Sequence, residues 1–340
     1  MPDTQVFTES GRACIARLRA RIEEGIAPLL DGAPVALVDY PDHSNVGDSA
    51  IWLGETAFLR DHDLTPAYVS AMRSHDHDSL AAALPHGTIL LHGGGNFGTL
   101  WQPHQDFRLG LLERFPDHRV IQLPQSLHFD DETSISQCAR AIERHGRFVL
   151  CVRDAPSLEF ARRHFYCDTR LVPDMAFAIG PLERGRPSTD IFRLLRTDLE
   201  KALEPGSVAE GPGTVTADWL EEGRFALRRA AITSAVVTLM DSPAAARVRR
   251  YERLARTRLG RGMKLLSTGR VVVTDRLHGH ILSTLLDIPH VALDNNYRKI
   301  GNFIDAWTHS LDLLRVAASL DEAMTKATAL LDGGARRSSI

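Results

Sequence analysis

Four short apolar runs, VALVDY (35–40), TILLH (88–92), RVIQLPQS (119–126) and FVLCVRD (148–154), alternate with stretches of helical periodicity. This alternation limits the fold more than any other feature of the chain. Each run is rich in Val, Ile and Leu and ends in turn or polar residues, as a strand buried on both faces does. SAIWLGETAFLRD (49–61) and DETSISQCARAIERHG (131–146) fit helices, and in the second Ile135, Cys138 and Ile142 recur at helical spacing. Strands separated by helices predict a parallel sheet covered by helices on both faces.

The pattern breaks after LVPDMAF (171–177), where GPLERGRPSTD (180–190) reads as a linker rich in Gly, Pro and Arg. A second alternating set follows in IFRLLRTD (191–198), RVVVTD (270–275) and HVALDN (290–295). Residues 217–264 are mostly helical in character, after a loop-like EPGSVAEGPG (204–213). The last helix is expected at SLDEAMTKATALLDGG (319–334), with Ser319 as N-cap and Gly333 near the stop, and ARRSSI as a disordered tail. At 340 residues the chain exceeds one typical core. The expected architecture is α/β: two Rossmann-like domains, 1–183 and 184–318, with a cleft between them, then a terminal helix and tail, 319–340.

Composition narrows the function. Apolar residues make up 44% and charged residues 24%, and the net charge of −3 gives no reason to expect nucleic acid. The four cysteines are scattered without a Cys-x-x-Cys, which argues against a zinc ribbon or a disulfide scaffold and suits a reducing compartment. No signal-peptide pattern opens the chain and no apolar run is long enough to span a bilayer, so a cytoplasmic protein is expected.

In parallel α/β sheets ligands sit beyond the carboxyl ends of the strands. There this sequence sets PDHSNVGDSAI (41–51), GGGNFGTLW (93–101), PQSLHF (124–129), Arg153-Asp154, Arg196-Thr197-Asp198, Asp275-Arg276-Leu277-His278 and NNYRKIGNF (295–303). In HGGGNFG (92–98) the glycines either bring backbone N–H groups close to an anion or make a tight strand-to-helix turn. It is neither a Walker loop nor the spaced dinucleotide fingerprint. Asn45, Gly47 and Asp48 are a helix-capping turn by default and a substrate loop if the cleft exists.

Arg153, Arg196 and Arg276 each follow a different apolar strand. A guanidinium fork matches carboxylate and phosphate, whereas a salt bridge at a strand end is the ordinary role of any single one. His278 falls in the first turn of a helix, beside Asp275 and Arg276, where a histidine can give or take a proton; His280 lies deeper in the helix. SHDHD (74–78) looks like a metal cluster but follows no strand and has no matching second ligand set, so a solvated loop is expected and no metal. No Gly-x-Ser-x-Gly elbow supports a serine triad. The basic run 247–264 carries an apolar stripe, Val248, Tyr251, Leu254 and Ala255, and is first a surface helix, with peripheral contact to an anionic membrane face as a second role.

NVGDSAIWLGE (45–55), LHGGGNFGTLW (91–101), LPQSLHF (123–129), CVRDAPSLEFA (151–161), LVPDMAF (171–177), LLRTDLE (194–200) and the stretch 271–307 together resemble the polysaccharide pyruvyl transferase family, in family order. The resemblance implies a GT-B-like fold. It also implies transfer of an enolpyruvyl unit from phosphoenolpyruvate to two hydroxyls of a sugar, in a polysaccharide or lipid-linked glycan precursor, to form a pyruvate ketal. Phosphoenolpyruvate is then a co-substrate and no resident cofactor is expected. Arg276, Leu277 and His278 match the family's donor-binding segment, and Arg153 best matches an arginine of its first domain. Arg196 and Lys299 complete the expected donor set. Asn45, Gly47, Asp48, Gly93, Gly94, Gly95, Asn96, Gln125 and Ser126 are the expected acceptor- or anion-binding loops. His278 is the candidate acid, or else a phosphate clamp, and Asp48 or Asp174 the candidate base. The rival readings are a GT-B-like glycosyltransferase using a nucleotide sugar and a non-catalytic glycan-binding protein.

Overall fold

The computed structural model describes residues 9–196, 213–220, 243–294 and 298–337. They form two compact units, one holding Ala20–Ile179 with 243–258, the other 9–19, 180–196, 213–220 and 259–337. The passage at Ile179–Gly180 lies close to the expected boundary at 183, but neither unit is continuous in sequence. Helices α1 (Gly11–Ile26) and α7 (Pro243–Leu266) each contribute residues to both.

The first unit is built on a parallel sheet of β1 (Val35–Val38), β2 (Tyr68–Ser70), β3 (Thr88–Leu91), β4 (Gly94–Gly98), β5 (Arg119–His128), β6 (Phe148–Val152) and β7 (Asp168–Leu171). Its order is β2-β1-β3-β5-β6-β7, with β4 also paired to β5. Strand order reverses at β1 and β3, which opens the crevice where such sheets bind ligands, at the carboxyl ends. Helices α2 (Val46–Asp61), α3 (His77–Ala83), α4 (Gln102–Arg114), α5 (Glu132–His145) and α6 (Ala155–His164) complete the βα units. Three of them begin with the same device: the carboxylates of Asp76, Asp131 and Asp154 accept the N–H of Ser79, Ser134 and Ser157. SHDHD is therefore the cap of α3, with His75 accepting or donating at Ser70 Oγ, 2.9 Å away.

The glycine run is not the tight strand-to-helix turn that was one of its two expected readings. After β3 the chain kinks at His92–Gly93 and re-enters the sheet as β4, pairing with the outer half of β5 through Gly94–Gln125 and Phe97–Leu127. Gly98 has φ of +110°, and a Cβ there would collide with the His128 carbonyl, so the close approach of β4 to β5 requires glycine. PQSLHF likewise belongs to β5 through His128, with a register irregularity around Pro124.

The second unit carries a parallel sheet in the order β12-β11-β10-β8-β9. Its strands are β8 (Thr189–Leu194), β9 (Thr214–Ala217), β10 (Gly269–Thr274), β11 (His290–Leu293) and β12 (Leu314–Ala317). Its helices are α8 (Leu277–Leu285), α9 (Lys299–Phe303) and α10 (Leu320–Arg337). Order reverses at β8 and β10, the strands that end next to Arg196 and Arg276. Helix α10 is not a separate element: Ala323 and Ala327 are buried against Val271, Val291 and Leu293. Ser319 caps it as expected, its Oγ accepting the Glu322 N–H, but the helix runs past Gly333 to Arg337.

The basic run is the helix α7, and part of its charge is internal. Arg258 is buried and donates to Tyr40 Oη and the Pro41 carbonyl, Arg247 donates to the Val69 carbonyl, and Tyr251 stacks on Tyr40 at 4.0 Å. Asp198, the loop 204–212 and residues 221–242 and 295–297, on which sequence expectations fall, lie outside the described residues.

Candidate active site

At the carboxyl ends of the first sheet, helix α2 supplies one wall. Asn45 is its N-cap: Oδ1 accepts the Gly47 N–H and Nδ2 donates to Asp48 Oδ2 at 2.8 Å. Asp48 Oδ1 lies 3.6 Å from where a Cβ on Gly94 would sit, so the glycine leaves room for the carboxylate beside β4. Seven residues along the same helix face, Glu55 is buried and accepts from Gly93 N–H and His92 Nδ1, both at 2.8 Å. Burial raises the Glu55 pKa, an effect that His92 holds back. Burial alone would lower His92, but the Glu55 carboxylate outweighs it and the net shift is upward. The pair therefore holds its proton more firmly than a solvated histidine does.

The opposite wall is Arg153, just past β6. It is buried, donates from Nη1 to Asp174 Oδ2 at 2.7 Å and from Nε to Ser126 Oγ at 3.0 Å. Ser126 passes its own proton to Asp154 at 2.6 Å. A Cβ on Gly95 would stand 3.1 Å from Arg153 Nη2, so the second glycine of the strand admits the guanidinium. Asp174 is 0% exposed, and its other oxygen accepts the Ala176 N–H. It holds Arg153, whereas Asp48 keeps 23% of its side chain exposed. Asn96 and Gln125 form an amide pair: Asn96 N–H donates to Gln125 Oε1 and Gln125 Nε2 to Asn96 Oδ1.

At the carboxyl ends of the second sheet, Arg276 stands at the N-cap position of α8 and donates from Nη2 to Asp218 Oδ2 at 2.6 Å, with both side chains about 95% buried. The Trp219 ring centre lies 5.9 Å from its guanidinium carbon, and Arg261 donates to the Trp219 carbonyl. Asp275 accepts the Arg196 N–H at 2.9 Å. Burial pushes Asp275 up to about 6, against that N–H and the charges of Arg276 and Arg196. Leu277 and His278 follow in the buried first turn of α8. Lys299 opens α9, and Arg298 before it is in the left-handed conformation, φ +50°. His280 belongs to the core: its Nε2 lies 2.9 Å from Thr308 Oγ1 and its Nδ1 2.7 Å from His290 Nε2.

The profile of the polysaccharide pyruvyl transferase family matches residues 45–297, from the N-cap of α2 to just before α9. The chain belongs to this family. Pyruvyl transferase 1 of Schizosaccharomyces pombe is 32% identical to this pyruvyl transferase family member over 319 residues, 87% of this chain and 75% of that one. Putative pyruvyl transferase EpsO of Bacillus subtilis is 28% identical over 87% of this chain and 93% of its own. A crystal structure of an uncharacterised protein from Klebsiella pneumoniae shares the fold, with a TM-score of 0.56 at 17% identity over 90% of this chain and 97% of that one.

Two features of this family member, Asp218 and Asp39, lie outside the sequence motifs, and Glu55 closes one of them, NVGDSAIWLGE, without its role being apparent. Asp218 sits in a region without a recognisable pattern. Glu55 reads as one polar position in an apolar helix. Asp39, buried with φ of +69°, places its two oxygens 3.0 and 2.9 Å from His104 Nδ1, which fixes the proton on that nitrogen. A strained non-glycine residue at the end of β1 was the available sign, but it is a backbone angle and no residue type announces it.

Proposed function

We propose that this chain transfers an enolpyruvyl unit from phosphoenolpyruvate to two hydroxyls of a sugar in an exopolysaccharide or lipid-linked glycan precursor, forming a pyruvate ketal. The observation that carries the reading is the family match together with Arg276 and His278 at the strand-order reversal of the second sheet. Phosphoenolpyruvate carries a phosphate and a carboxylate on adjacent atoms, and a guanidinium at a helix N-terminus suits that anion. Arg276 and His278 bind the donor, with Arg153, Arg196, Leu277 and Lys299 as further donor contacts. Asp48, Gly94, Gly95, Asn96 and Gln125 serve the acceptor side.

Chemically, an acid protonates the donor's methylene carbon and leaves a cationic centre at C2. A sugar hydroxyl attacks that centre as Asp48 takes its proton, phosphate departs with its bonding pair, and the second hydroxyl closes the ketal with loss of its own proton. His278 is the acid in this reading. The reaction consumes phosphoenolpyruvate as co-substrate and needs no resident cofactor. The enzyme works in the cytoplasm, with peripheral membrane contact through α7; among the described residues no helix is long and apolar enough to cross a membrane.

Calorimetric titration of phosphoenolpyruvate against the parent and Arg276→Ala tests the donor assignment. The substitution should weaken binding by about 100-fold or more, as removal of a desolvated charged contact does. Equal affinity in the two proteins refutes it.

A further inference from the structure

We infer that Asp218 is a donor-site residue: its carboxylate pairs with the Arg276 guanidinium and competes with the anionic donor for it. The inference rests on the donor reading of Arg276 given above. It starts from a contact that an anion site does not call for. Arg276 Nη2 meets Asp218 Oδ2 at 2.6 Å, and each side chain keeps only 5–6% of its exposure. A buried guanidinium without a counter-charge is strongly unfavourable, so an enzyme that keeps its donor-binding arginine desolvated needs an anion there at all times. Asp218 supplies one.

Position supports the exchange. Asp218 directly follows β9, the edge strand, whereas Arg276 follows β10, with β8 between them. The contact therefore spans the carboxyl ends of three strands, across the same reversal point that ligands occupy in such sheets. Asp218 Oδ1 accepts the Trp219 N–H at 2.7 Å, and Arg261 holds the Trp219 carbonyl at 2.8 Å. The Trp219 ring beside the Arg276 carbon keeps the guanidinium in place while its anion changes. A phosphate or carboxylate arriving at Arg276 meets the Asp218 charge at short range, and like charges at one fork exclude each other. Asp218 thereby sets donor affinity, holding it below what the bare arginine would give and speeding donor and phosphate exchange.

The test is a set of phosphoenolpyruvate titrations on the parent, Asp218→Asn, Asp218→Ala and Arg276→Ala, with melting curves on each with and without phosphoenolpyruvate. Expected are about tenfold tighter binding or more in both Asp218 variants, and loss of binding in Arg276→Ala. The Asp218 variants should also melt lower than the parent alone and gain more on adding donor. Unchanged or weaker binding in the Asp218 variants, with binding still lost in Arg276→Ala, overturns the exchange and leaves the donor site standing. Undiminished binding in Arg276→Ala, or no binding by any of the four, overturns the donor reading and this inference with it. If Asp218→Ala does not fold, Asp218→Asn, which keeps the shape of the side chain, decides alone.

Discussion

Asp275 shows how one residue trades stability for charge. Its carboxyl is 2% exposed, and burial lifts it from the ordinary 3.8 to about 6 despite the Arg196 N–H and two nearby guanidinium groups. An acid whose folded value is raised binds more protons folded than unfolded in that window. Stability therefore falls as pH climbs from 3.8 to 6, and the loss persists above it. Two pKa units correspond to a loss on the order of 3 kcal/mol at neutral pH. Asp275→Asn retains an acceptor for the Arg196 N–H and removes the charge. It should be more stable than the parent by about 1–3 kcal/mol at pH 8 and equal to it near pH 4, by urea unfolding. A variant less stable at pH 8 would show that attraction to Arg276 and Arg196 exceeds the cost of burial.

At the scale of elements, the β4–β5 ladder depends on glycine at position 98 where α4 does not at position 110. Gly98→Ala meets both a positive φ and the His128 carbonyl, and should lose about 2 kcal/mol or more in urea unfolding. Gly110 lies in the interior of α4 with open space around it, so Gly110→Ala should gain about 0.5–1 kcal/mol; the two opposite signs check the assignment of β4 as a strand. The strands themselves were legible because their faces are buried on both sides and repeat Val, Ile and Leu. Arg153 and Arg276 were legible because a charged residue just after such a run must stand at the carboxyl end. Their partners were not. Asp174 pairs with Arg153 from the end of the neighbouring strand, and Asp218 with Arg276 across three strands, so both depend on strand order, which periodicity does not carry. The glycine run was misread for a related reason: its partner strand, β5, begins after a whole intervening helix, and only pairing distinguishes a strand of glycines from a turn.

For the molecule as a whole, the response to acid is set by buried histidines together with buried acids. In the second unit the order of donors is forced. The Ile288 carbonyl can only accept, so His290 Nδ1 carries a proton and its Nε2 accepts from His280 Nδ1, which leaves His280 Nε2 to accept from Thr308 Oγ1. Neither ring has room for a second proton. Burial drives His290 down to about 4 and His280 well below its usual value, and in the first unit burial drives His75 down to about 4. Between pH 6.5 and 4 the unfolded chain takes up protons on these three rings that the folded chain refuses, so their contribution to stability is full above 6.5 and falls as pH drops. Asp275 and Glu55, both raised by burial, slope the other way. The parent should therefore lose melting temperature only gradually from pH 6.5 to 4. Asp275→Asn, freed of one counter-slope, should lose it more steeply. Calorimetric melting at pH 4, 5 and 6.5 separates the two, and equal slopes in parent and variant would mean that the histidine chain takes up its protons without breaking.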